Sequence, residues 1–137
     1  MEEFCIPVGN SSEEVKQRED IIYSFYEQWK SEHPDQKVYN VNLKDDIHIR
    51  NVSISETARH AAKRYMSTLA VLQLDAVLSC ARKVAITKTE NRENQKSFKA
   101  MMIMEYFNPG IGKVKLTVGI RHHSLLKVQY CITAIEI

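Results

Sequence analysis

The stretch "ETARHAAKRY", residues 56–65, sets one histidine among three cations. At helical spacing Ala58, Ala61, Ala62 and Tyr65 share one side, while Glu56, Arg59, His60, Lys63 and Arg64 crowd the other. Imidazole titrates nearest neutrality, so His60 is a candidate general acid or base. Glu56, one turn earlier, is spaced to orient or charge it, and Arg59, Lys63 and Arg64 could hold an anion such as phosphate. An ordinary solvated helix face has the same pattern, and the local sequence leaves both readings open.

A second set lies in "GKVKLTVGIR". Val114, Leu116, Val118 and Ile120 alternate with Lys113, Lys115, Thr117, Gly119 and Arg121. If the apolar row covers helices, the other row is a basic, hydroxyl-bearing stripe on an open sheet face, where Gly119 would let a ligand approach the backbone. In the last strand Gln129, Cys131 and Thr133 share one face and Val128, Tyr130, Ile132 and Ala134 the other. "RHHS" reads as the end of the middle strand in a hairpin turn. Arg121 and His122 there could contact phosphate, although adjacent His122 and His123 cannot both face one site. His33 and His48 stand in less suggestive settings and receive no role. No glycine-rich phosphate loop, HExxH, GxSxG or EF-hand pattern occurs, so neither a metal nor a cofactor is called for.

These residues need elements to position them. The chain has 137 residues, 44% hydrophobic and 26% charged, which suits one domain with a sizeable core. No apolar run approaches a membrane span, and "MEEFCIPVGN" is acidic rather than signal-like, so a cytoplasmic protein without a membrane partner is expected. Cys5, Cys80 and Cys131 form no metal-binding or disulfide pattern, and Cys80 and Cys131 read as small core residues. The net charge of +2 hides an asymmetry. Residues 1–47 hold five Lys/Arg against eleven Asp/Glu, and residues 48–137 hold fourteen against six. An acidic leader ahead of a basic body suits a nucleic-acid binder with a shielding or partner-binding segment.

Residues 1–10 read as a flexible tail and 11–137 as a single domain. Ser11 and Glu14 form a capping box before an amphipathic helix over 11–34, whose Val15, Ile22, Phe25, Tyr26 and Trp29 make a packing face. That face could dock at home or on a protein partner or inhibitor. "IHIRN" alternates as a short strand, with Ile47 and Ile49 opposite His48 and Arg50. Ser53 or Ser55 would cap the helix of residues 56–65, and Ser67 a leucine-rich helix, "TLAVLQLDAVLSCARK". From "VAITK" onward the period is two, with a charged loop at 89–96. The expected fold is α+β: N-terminal helices on one face of a C-terminal antiparallel meander of about four strands.

The order "IHIRNVSI", "ETARHAAKRY", "STLAVLQLDAVLSCARKV" and a meander ending "KVQYCITAIEI" resembles the small nuclease superfamily of barnase, EndoU, colicin-type tRNases and RelE toxins. It is similar in particular to the versions carried by polyvalent proteins of phages and bacterial mobile elements. The likeness covers residues 47–137. It implies an RNase-like domain that binds RNA and cleaves it without metal, by attack of the ribose 2′-hydroxyl on the adjacent phosphate. His60 would then be the acid–base group, Lys115 and Arg121 cationic stabilisers, and Thr117 or Thr133 a phosphate-contacting hydroxyl. A binding module of the same fold without catalysis is the alternative.

Overall fold

The structure, a computed structural model, describes residues 6–89, 98–124 and 127–137. Helix α1 (Ser12–Glu32) starts at the expected box: Ser11 Oγ accepts from the Glu14 amide at 3.2 Å and donates to Glu14 Oε1 at 2.8 Å. Glu14 also reaches back to accept from the Gly9 amide at 2.8 Å. These bonds favour the ionised carboxyl, which is held below its usual range by the Ser11 hydroxyl first and the Gly9 amide second. The aromatic stripe docks at home. Ile22, Tyr26 and Trp29 are buried, Tyr26 Oη lies 2.7 Å from Thr57 Oγ1, and Trp29 Nε1 donates to Asp75 at 2.8 Å.

Strands β1 (Lys37–Asn40) and β2 (Asp45–His48) form a short hairpin, followed by α2 (Asn51–Ala61), α3 (Tyr65–Val71) and α4 (Leu74–Cys80). Strands β3 (Arg82–Thr87), β4 (Ala100–Asn108), β5 (Gly112–Ser124) and β6 (Lys127–Glu136) complete the described elements. The sheet order is β1-β2-β6-β5-β4-β3. The meander from β3 to β6 is antiparallel as expected, but β2 joins β6 in parallel. The sheet is therefore mixed and has six strands, not about four in a purely antiparallel arrangement. The strand expected at "IHIRN" is β2, which runs from Asp45 to His48, and "KVYN" pairs with it as the outer strand of the hairpin.

Helices α2 and α3 pack on β6, α4 on β1, and α1 on α2 and α3, all on one sheet face. Ala58, Ala61 and Ala62 are fully buried, so the alanine face lets α2 approach the strand closely, as its spacing predicts. Three local expectations change. Helix α2 begins at Asn51, with Arg50 as N-cap and no side-chain cap, which places Ser53 inside the helix and buries it. The leucine-rich segment breaks at Leu72–Gln73 into two helices of seven residues. Ser67 lies within α3, where its hydroxyl donates to Ala61 and Arg64 carbonyls. Finally, β5 continues through His122 to Ser124, so the histidine pair belongs to the strand. The charged loop expected at 89–96 lies almost wholly outside the described residues, as do Cys5 and Leu125–Leu126.

Candidate functional site

On β2 the alternation that buries Ile47 and Ile49 turns His48 to the sheet face away from the helices. The parallel register sets His48 level with Cys131, and Gln129, two residues earlier on β6, pairs across to Arg121 on β5. Arg121 Nε donates to Gln129 Oε1 at 2.6 Å. Arg50 leaves the end of β2 and its guanidinium lies 4.9 Å from the centre of the Phe98 ring, a cation–π contact. His48, Arg50, Arg121 and Gln129, with Asp35, Gln36, Ile49 and Asn51, line one open cavity of about 290 Å³.

The electrostatics suit an anion. Partial burial pushes the His48 imidazole below its usual range, and Lys37 and Arg121 act in the same direction against Asp46 and Asp45. His48 is therefore neutral and able to accept a proton near pH 7. The Nε of Arg50 is buried and has no hydrogen-bond partner among the described residues. Cys131 is no nucleophile: it is fully buried, and burial pushes its thiol up despite Arg121 and Arg50.

The residues singled out in the sequence do not converge. His60, Lys63 and Arg64 line a separate cavity of about 270 Å³ on the helix side, with Ser67, Glu136 and Ile137. Glu56 serves Arg59 at 3.0 Å and stands 3.9 Å from the His60 ring, beyond hydrogen-bond reach. The basic row of β5 is present, with Lys113 and Lys115 exposed and Val114, Leu116 and Val118 fully buried. Lys115 and Arg121 nevertheless stand six residues, or about 20 Å, apart along it. Lys115 is also flanked in register by Glu105 and Glu136. His122, exposed, follows Arg121 and alternates onto the other face.

Thr133 is a further correction. It is the extra residue of a bulge between Ile132 and Ala134, is buried, and donates to the Thr117 carbonyl at 2.9 Å. Its hydroxyl is engaged, and the bulge moves Ala134 onto the face of Thr117 while Ile135 enters the core. The space above Gly119 is filled by Phe98 rather than left for a ligand. Cys80 is exposed, not a core residue. It lines a cleft of about 810 Å³ beside β3, whose Glu105 is already paired with Lys113 at 3.2 Å.

His48 was missed because "IHIR" shows only that His48 and Arg50 share a face. The third member of the cluster, Arg121, reaches them through β6, which no local spacing reveals. No family model, characterised protein or solved structure matches this chain. The nuclease resemblance rests on the order of elements over residues 47–137.

Proposed function

We propose that this chain is an RNase-like domain of the phage or mobile-element type, holding an RNA phosphodiester in the cleft of His48, Arg50 and Arg121. The observation that carries the reading is the meeting of one neutral imidazole and two guanidiniums around a single cavity. The arginines are suited to bind non-bridging phosphate oxygens and to stabilise charge that develops there. His48 takes the proton of the 2′-hydroxyl as its oxygen bonds to phosphorus. The bond from phosphorus to the 5′-oxygen breaks, that oxygen takes a proton from solvent, and a 2′,3′-cyclic phosphate remains. This assignment moves the acid–base role from His60 to His48 and keeps Arg121.

One observation favours binding without turnover as the second reading: the cavity lining contains a single histidine. The test is incubation of the folded protein with a mixed single-stranded RNA pool in EDTA, alongside His48→Ala and Arg121→Ala. Cleavage lost in both variants, with unchanged circular dichroism, supports the nuclease. Salt-sensitive binding without cleavage selects the second reading. Absence of binding at low salt overturns both.

A further inference from the structure

Tyr39 on β1 is a large aromatic side chain left 53% exposed. The β1–β2 register places it directly opposite Asp46, and Lys37 opposite His48. Val38 packs against the helix-side core, so Tyr39 stands on the same face as His48. His48 is thus its diagonal neighbour, roughly 7 Å away. That is about the reach of one nucleotide from phosphate to base.

Charge decides what can lie over the ring. Asp46 lies directly opposite it on the same face of β2, and Lys37 Nζ, 3.3 Å from Asp46, is engaged by that carboxylate. A second phosphate would meet the Asp46 carboxylate there, beside a Lys37 ammonium that Asp46 already holds. A strand whose phosphate sits at His48, Arg50 and Arg121 must therefore set an uncharged group on Tyr39. We propose that Tyr39 is a stacking platform for the nucleobase adjoining the bound phosphate, which makes the site selective for single-stranded nucleic acid over free phosphate or duplex. This rests on the phosphodiester-binding reading. Stacking on an aromatic face tolerates any base, so no sequence preference follows from it.

The experiment measures binding of a fluorescent single-stranded RNA pool, an abasic strand of the same length, and inorganic phosphate as competitor. Tyr39→Ala weakens binding of the RNA pool about 5- to 150-fold, while Tyr39→Phe retains it. Affinity for the abasic strand and for phosphate is unchanged in both variants. Equal RNA affinity of Tyr39→Ala and wild type, with binding still lost in Arg121→Ala, overturns the platform and leaves the phosphate site standing. Failure of the wild-type protein to bind RNA or phosphate overturns both.

Discussion

Phe98 lies against Gly119, so that a β-carbon added at position 119 would fall 2.5 Å from the ring. The glycine is therefore a seat for this chain's own aromatic residue, which is 5% exposed and also carries the Arg50 guanidinium over its ring. Gly119→Ala is expected to destabilise by about 1–3 kcal/mol through overpacking. Phe98→Leu should recover part of that loss in the double variant. Chemical denaturation of the four proteins checks this; additive effects would show that the ring does not press on the strand.

Ser53 makes the opposite case. Its Oγ is buried within α2 and has no hydrogen-bond partner among the described residues. Desolvating a hydroxyl without a partner is unfavourable, and alanine is the better helix former. Ser53→Ala should stabilise by about 1 kcal/mol. A clear loss of stability in urea unfolding would refute it.

Arg18 is fully buried, and its bonds run to neutral oxygens. Its Nε donates to the Ala62 carbonyl at 2.8 Å, and its Nη groups reach the carbonyls of Pro7, Gly9 and Lys63 and the Asn10 amide oxygen. It thereby ties residues 7–10 to the C-terminal end of α2, where free carbonyls and the helix dipole favour a cation. Arg18→Met should cost about 2–4 kcal/mol and expose the segment to protease. Arg18→Lys should rescue little, because one ammonium cannot span these acceptors. Limited proteolysis with a melting curve reads both.

The pH dependence follows from His48. Burial lowers its folded-state value below the ordinary 6.5, so below that pH the unfolded chain takes up the proton first. Its contribution to stability is present above about pH 6.5 and is lost as pH falls through the folded-state value. Denaturation midpoints should decline on acidification below about pH 6.5, and His48→Gln should flatten part of that decline. A bound phosphate should reverse the shift, so binding near pH 6 takes up protons. Calorimetry in buffers of different ionisation enthalpy would detect this; no uptake would argue that the anion sits away from His48.

Much of this arrangement was legible in the chain. The capping box of Ser11 and Glu14, the alanine face of α2, the apolar row of β5 and five of the six strands rest on local spacing. The rest depends on distant partners. β1 and β2 have four residues each and little apolar character; the β6 edge supports β2, while β1 depends on β2 and on α4, whose end Asn40 holds through the Leu78 and Ala81 carbonyls. The Thr133 bulge reverses the alternation of β6 without a glycine to mark it. His60 stood out because its cationic neighbours are close in sequence, whereas those of His48 are close only in space.

The parallel seam also orders events in time. Ile47 and Tyr130 pair across more than eighty residues, the longest loop closure in the sheet. Such pairings form late, because the entropy of closing the intervening chain is lost before the contacts compensate for it. During synthesis the first three helices and β2 leave the ribosome well before β6 exists. Arg121 cannot be brought beside His48 until the last strand docks between their elements. A nascent or prematurely ended chain would carry the histidine and both arginines, yet would have no assembled cleft.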